Sequence, residues 1–333
     1  MKAMVLKNAM AVEENPLEYM DVPIPEPGPG EILVQVHACG ICRTDLHIVE
    51  GEIQPTRMPI IPGHQVIGTV VSRGPGVKRF REGDRAGMAW LFRTCGKCPF
   101  CRSGKENLCA KAQFTGFDVD GGFAEYTKIQ EDFAYPIPKV FTDLEAAPLL
   151  CAGIIGYRAL RLSEVKKGER LGLYGFGAAA HITVQVAVQR GCEVYVFTRG
   201  AAHQALALRL GASWAGSPGD HPPAKTHSAI IFAPAGELVP LALTRLEKGG
   251  TLALGGIYMT AIPSLDYTRH LYDERSVRSV TASTRQDGIE LLEAAAEIPI
   301  RTEIQSFLLK EANRALQLLK AGKITGAGVL EVL

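Results

Sequence analysis

The stretch Gly172-Leu-Tyr-Gly175-Phe-Gly177-Ala-Ala-Ala180 decides how this chain is read. It closes a strand-like segment, Arg170 to Tyr174, and opens a helical one, Ala178 to Gln189. In that strand–turn–helix setting, G-x-G-x-x-A is the fingerprint of a dinucleotide-binding turn. Gly175 permits the tight turn, Gly177 lets backbone approach a pyrophosphate, and Ala180 allows close packing of helix on strand. The phosphates would rest on the N-terminus of that helix. A plain βα turn is the competing reading, since glycine-rich turns are common.

The next strand, Glu193 to Phe197, runs into Thr198-Arg199-Gly200. Sites for NAD usually carry an acidic residue there for the ribose hydroxyls, and sites for NADP an Arg for the 2′-phosphate. No Asp or Glu stands between Val194 and Leu210, so NADP(H) is favoured over NAD(H). The other reading has Arg199 in solvent and Thr198 on a ribose hydroxyl.

Outward from this point the β/α alternation continues. It runs through a helix at Ala202 to Leu210, a strand at Ser228 to Phe232, a helix ending near Glu247 and a strand at Thr251 to Leu254. Such alternation implies a parallel sheet with helices on both faces. Upstream, Asp143 to Leu162 reads as a helix interrupted at Gly153 and Gly156. Before it the chain is β-rich, with short strands at Ile32 to Val36, Val66 to Val71 and Phe123 to Ile129 between Pro/Gly punctuation. The tail adds helices at Asp287 to Ala296 and Glu311 to Lys320.

The 333 residues suit about two domains. With 36 basic against 35 acidic residues, nothing asks for nucleic acid or an anionic membrane. No apolar run reaches the ~20 residues of a membrane span, and Met1 to Met10 holds no continuous apolar stretch of signal-peptide type. A soluble cytoplasmic protein is expected.

Four of the eight cysteines fall as Cys95-x-x-Cys98-x-x-Cys101-x7-Cys109. Four thiolates at this spacing suit a structural zinc, tetrahedral and closed to substrate. The rival is an iron–sulfur cluster, whose bacterial run also begins C-x-x-C-x-x-C, but places its fourth Cys after three residues and before Pro. A Cys/His/Cys set from distant points is a catalytic zinc arrangement with one open position, and Cys42, His64 and Cys151 could supply it. Each has a bland reading too: Cys151 as a core residue, His64 as a turn residue, and Cys39 with Cys42 as a C-x-x-C pair without its usual βαβ unit.

Cys42-Arg-Thr-Asp-Leu-His47, Pro62-Gly-His-Gln65, the four-cysteine lobe and Cys151-Ala-Gly153 together resemble the zinc-containing medium-chain alcohol dehydrogenase family, in that family's order and over nearly the whole chain. The resemblance implies a catalytic zinc on Cys42, His64 and Cys151, a structural zinc on Cys95, Cys98, Cys101 and Cys109, and thus two per chain. A catalytic zinc would act as a Lewis acid on the alcohol oxygen. Thr44 matches the family's hydroxyl relay position and His47 the solvent end of that relay, a role suited to an ordinary His pKa near 6.5. Asp45 would hold the far nitrogen of His64. Thr44 and Asp45 could instead be simple helix caps. Arg43 and Arg285 match positions that pair with the pyrophosphate, Arg285 with a solvated charge as its alternative.

The fold implied is a Rossmann doubly wound parallel sheet plus a zinc-bearing, GroES-like β-rich catalytic domain. The boundaries expected are 1–152 with 284–333 for the catalytic domain and 153–283 for the dinucleotide domain, with the active site between them. Trp90 and Phe117 resemble substrate-pocket positions, though ordinary core aromatics are the other reading. Two departures stand out: Gln65 where the family commonly has Glu, and Ile155 where a Thr often lies. The activity implied is reversible hydride transfer between a small-molecule alcohol and its aldehyde or ketone, in a homodimer or homotetramer. A polyol or formaldehyde dehydrogenase, or a non-catalytic zinc and dinucleotide binder, are the alternatives.

Overall fold

The computed structural model describes residues 1–298 and 300–332. The chain divides into two compact units, one formed by Met1–Cys151, Ser283–Ala296 and Arg301–Leu333, the other by Ala152–Ala282 and Glu297–Ile300.

The first unit is built on strand Glu31–Ile41. Its alternating Ile32, Val34 and Val36 are fully buried, as the two-residue period of a strand with one face on a core requires. One edge of this strand pairs antiparallel with Gln65–Arg73. The other edge is shared, first by Tyr126–Gln130 and then by Ala327–Glu331. Arg85–Met88, Ala134–Pro136 and Ile304–Leu308 complete seven strands. The tail is stitched to the start of the chain: Asn313 accepts from the Leu17 N–H (3.1 Å) and donates to its carbonyl (2.9 Å). Helix Ala312–Lys320 seats Ala312, Ala315 and Leu316 in the core at i, i+3, i+4 spacing.

The second unit is a parallel six-stranded sheet in the order Trp214–Gly216, Glu193–Phe197, Arg170–Tyr174, Thr226–Ile231, Leu246–Leu254, Ser276–Ser279. The strand order reverses at Arg170–Tyr174, and the crevice beyond the carboxyl end of that strand is where doubly wound sheets take ligands. The strand ends in the glycine turn and helix Ala178–Gln189 follows. Tyr174 stacks on Phe197 (centroids 4.3 Å apart), and the Arg245 guanidinium lies 4.9 Å over the other ring's centre, so both core strands end in one aromatic layer.

Two expectations need correction. The break in Asp143 to Leu162 falls at neither Gly153 nor Gly156. Helix Asp143–Ala146 tightens into a 3-10 turn, Ala147–Leu150, Cys151 leaves the helical region (φ −133°, ψ −69°), and Ala152–Leu162 then runs unbroken. Gly156 is there for packing: a Cβ on it would lie 2.1 Å from Thr183 Oγ1 on the neighbouring helix. Likewise the helix expected to end near Glu247 stops at Thr244, because Leu246 already pairs with Thr226 in the sheet.

Candidate metal and dinucleotide sites

Strand Glu31–Ile41 delivers Cys42 to the start of a short helix, Arg43–Val49. The Cys42 sulfur accepts the Thr44 N–H (3.3 Å), while Asp45 reaches back to the Cys42 N–H (2.8 Å), a capping box closed by a thiol. The other oxygen of Asp45 accepts from the Gly63 N–H (3.2 Å) and lies 3.1 Å from His64 Nδ1. Asp45 and His64 are both fully buried. A carboxylate only accepts, so a proton sits on Nδ1, and Nε2 is the nitrogen that faces Cys42 Sγ at 3.3 Å.

Cys151 brings its sulfur to 4.0 Å from that of Cys42, and the ligand atoms of Cys42, His64 and Cys151 all lie within 4.8 Å of one another. Bonds of about 2.3 Å to sulfur and 2.0–2.1 Å to nitrogen put tetrahedral ligand atoms about 3.6–3.8 Å apart, so the donor set fits zinc. Burial, then the neighbouring Cys151 thiol, pushes the Cys42 thiol well up. Burial opposes a charge on His64, but the Asp45 carboxylate and the neighbouring Cys42 sulfur outweigh it and raise that pKa. A divalent cation would displace the protons these groups hold.

Thr44 and His47 share a face of the same helix at i, i+3. His47 is itself nearly covered; its Nδ1 contacts Glu52, and Glu52, half exposed, is the group that meets solvent. A carboxylate thus stands between His47 and solvent. Nothing in the sequence marked Glu52, which lies in the loop after the helix.

The four-cysteine lobe closes around its thiols. Cys98 and Cys101 sulfurs are 3.5 Å apart, Cys95 and Cys101 are 3.9 Å apart, and all four lie within 4.8 Å. These separations bracket the edge of a ZnS4 tetrahedron, about 3.8 Å. Backbone N–H groups of Lys97 and Cys98 aimed at Cys95 bring that thiol down to about 6. For Cys98, the Cys101 N–H favours the thiolate, but burial and the surrounding thiols outweigh it and push it up to about 11.

Trp90 meets the His64 ring edge-on (5.0 Å), stacks on Phe114 (5.0 Å) and leans on Phe117 (5.7 Å). Phe114 was not singled out in the sequence. Gln65 is buried, with an amide nitrogen that lacks a hydrogen-bond partner. Ile155 lies partly buried on helix Ala152–Leu162.

In the second unit Gly175 has φ +89°, and a Cβ there would sit 3.0 Å from the Ala233 nitrogen, so only glycine fits the turn. Gly177 caps helix Ala178–Gln189 with open space where a Cβ would be, and Ala180 is fully buried. Thr198 is buried, its N–H bonded to the Gly216 carbonyl (2.8 Å), and Arg199 is exposed beside it. Arg43 is exposed at the start of its helix. Arg285 is engaged elsewhere than expected: its N–H and Nε reach Glu106 Oε1 at 3.0 and 3.3 Å, and its guanidinium lies 4.7 Å over Phe133. Glu106, between Cys101 and Cys109, went unremarked in the sequence.

A closed thiol set and an open Cys/His/Cys set in one unit, with a doubly wound sheet in the other, define a metal- and dinucleotide-using class of oxidoreductase. Residues 28–139 match the alcohol dehydrogenase GroES-like domain. The chain is 49% identical over 335 residues to the probable alcohol dehydrogenase AdhA of Mycobacterium tuberculosis (strain CDC 1551 / Oshkosh), covering 99% of this chain and 97% of that one. Among solved structures, it resembles the acetophenone reductase of Geotrichum candidum NBRC 4597 in complex with NAD. There the identity is 25%, the TM-score 0.89, and the coverage 99% and 97% of the two chains. It also resembles CAD from Helicobacter pylori complexed with NADP(H), with 26% identity, a TM-score of 0.87 and 99% coverage of both chains. The chain belongs to the zinc-containing medium-chain alcohol dehydrogenase family.

Proposed function

We propose that this enzyme is a zinc-dependent alcohol dehydrogenase that moves a hydride reversibly between an alcohol and its aldehyde or ketone, with NADP(H) preferred as the dinucleotide. The observation that carries the reading is the convergence of Cys42, His64 and Cys151, with the tautomer of His64 fixed by Asp45. A zinc ion held there supplies Lewis acidity to the alcohol oxygen. Asp45 orients the His64 ring, and the Thr44 N–H favours the thiolate form of Cys42. Thr44 would accept the hydroxyl proton while releasing its own toward His47 on the same helix, and the His47 Nδ1 contacts Glu52 in the loop beyond it. Trp90, edge-on to His64, and Phe117, leaning on Trp90, form a wall that suits small or slender alcohols. A second zinc on Cys95, Cys98, Cys101 and Cys109 has a structural role.

For the dinucleotide, Gly175, Gly177 and Ala180 cradle the pyrophosphate, and the resemblance to the family alone suggests Arg43 as a cationic partner. Thr198 and Arg199 receive the adenosine end, and an Arg there can fork onto a 2′-phosphate. The domain organisation proposed is 1–152 with 284–333 for catalysis and 153–283 for the dinucleotide. All eight cysteines are free, which suits the reducing cytoplasm, and no helix among the described residues is long and apolar enough to cross a membrane. Strand Ser276–Ser279 ends the second sheet with an unpaired edge, and Ile257, Tyr258, Tyr267 and Tyr272 are exposed in the same unit. Both features support a homodimer or homotetramer. The test is NAD(P)H absorbance over a panel of alcohols and aldehydes, with and without a zinc chelator. Turnover that is lost on chelation and returns with zinc supports the reading; turnover indifferent to the chelator ends it.

A further inference from the structure

Helix Arg285–Glu297 returns the chain to the first unit, and its first turn is satisfied from two sources. Thr284 and Asp287 cap one another: Asp287 accepts from the Thr284 N–H (2.8 Å) and hydroxyl (2.7 Å), and Thr284 Oγ1 accepts the Asp287 N–H (3.2 Å). The Arg285 N–H instead goes to Glu106 Oε1, which also receives Arg285 Nε. Glu106 is only 4% exposed. Its charge is therefore held by the helix N-terminus and one guanidinium.

Glu106 belongs to the four-cysteine lobe. It opens the single turn Glu106–Leu108, and its own carbonyl accepts the N–H of Cys109 (3.0 Å). The apolar cover of the lobe is thin among the described residues: Phe100 and Leu108 are 44% and 39% exposed, only Asn107 and Cys109 are buried beside Glu106, and the remaining elements are a one-turn helix and tight turns. Thiols drawn together without a core need an ion to keep them together. An ion on the thiols would fix the backbone that carries Glu106, whose carbonyl takes the Cys109 N–H.

On the other side of the contact, Phe133 lies beneath the Arg285 guanidinium, and the Tyr135 ring fits against Gly288 so tightly that a Cβ there would come within 2.5 Å. Leu291, Leu292 and Ala295 are buried further along the helix. These contacts lie outside the lobe and hold the middle of the helix, while in its first turn the Arg285 N–H is left to Glu106.

We propose that Glu106 makes the anchoring of the returning helix conditional on metal in the four-cysteine lobe. The lobe then acts at a distance in sequence, as a metal-sensitive clasp on residues 285–288. This rests on the proposed ion at the four thiols, and counting zinc per chain separates failure of that reading from failure of the clasp.

The experiment is hydrogen exchange of the amides from Arg285 to Leu292, with zinc counted in each sample. Glu106→Gln is expected to keep both zinc ions and to speed exchange of the first-turn amides roughly tenfold, the loss of about one charged hydrogen bond. Cys98→Ser, lacking the lobe zinc alone, is expected to show the same local opening. Adding Glu106→Gln to it should bring no further increase. His64→Ala, lacking only the other zinc, should leave this segment protected. If Cys98→Ser does not fold, wild-type protein partly stripped by a chelator replaces it, exchange being followed against zinc content. Protection of the segment that survives loss of the lobe zinc overturns the proposal, as do Glu106→Gln and metal loss that multiply as independent effects.

Discussion

Replacing Asp45 by Asn keeps the volume of the side chain and removes its charge, and the surroundings allow the consequence to be worked out. The carboxylate takes three hydrogen bonds in full burial: from Cys42 N–H on one oxygen, and from Gly63 N–H and His64 Nδ1 on the other. An amide has one oxygen. If that oxygen stays with Gly63 and His64, the NH2 group confronts the Cys42 N–H and the helix loses half of its capping box. If the amide turns over, the NH2 faces His64, and the ring must move its proton to Nε2, the atom that faces Cys42. Either way one hydrogen bond to a charged group is lost, about 1.5–3 kcal/mol. Outer partners of metal ligands typically cost 10- to 100-fold in metal affinity when mutated, which is about 1.4–2.7 kcal/mol and agrees with that figure. We expect zinc affinity of the Cys42/His64/Cys151 site to fall by that factor, with turnover partly restored by added zinc. Competition with a chromogenic chelator measures the affinity, and kcat against free zinc measures the rescue. Zinc affinity and turnover both unchanged in Asp45→Asn would refute the reasoning.

The two metal sites should respond differently to loss of a ligand: His64→Ala abolishes turnover in a folded protein that still binds dinucleotide, whereas Cys98→Ala lowers the unfolding temperature, because structural zinc is coupled to folding. Circular dichroism melts and dinucleotide fluorescence distinguish the outcomes, and near-native activity in His64→Ala would mean the triad is misassigned. In protein stripped of zinc, iodoacetamide should alkylate Cys95 before Cys98 at neutral pH, with the rate at Cys95 rising through pH about 6, since its thiol titrates at about 6 and that of Cys98 at about 11. Equal labelling of the two thiols by peptide mass mapping would contradict it. Arg199→Asp should reverse the dinucleotide preference, lowering kcat/KM for NADP relative to NAD by roughly 10- to 150-fold, the worth of hydrogen bonds to a charged group. A ratio that does not move would remove Arg199 from the site.

The second unit was the more legible. Arg170–Tyr174, Ala178–Gln189 and Glu193–Phe197 begin and end where alternation and the glycine turn put them, because a parallel strand is marked by local texture. The four-cysteine lobe was equally plain, its spacing being local. The Cys/His/Cys set was not legible from spacing: it gathers residues 22 and 109 positions apart, and only its likeness to a known family singled it out. Glycine misled where its role is tertiary. Gly156 reads as a helix breaker, yet it sits in regular helix because Thr183 crosses there. The partnership of Glu106 with Arg285 spans 179 residues, and no local pattern announces it. Glu52 escaped notice for a simpler reason, since a carboxylate in a loop is ordinarily solvated.

The thiol cap at Cys42 bears on how any experiment at that residue is to be interpreted. Its sulfur is at once a candidate ligand and the acceptor that starts the helix bearing Thr44, Asp45 and His47. Removing it deletes a metal donor and unseats the first turn together, so two deficits arrive in one variant and activity cannot apportion them. An ion held there would bind the same sulfur that accepts the Thr44 N–H, so metal site and helix start would share one atom. Serine at position 42 would keep an acceptor for the helix while weakening the metal site, and so separates the two debts that alanine confounds.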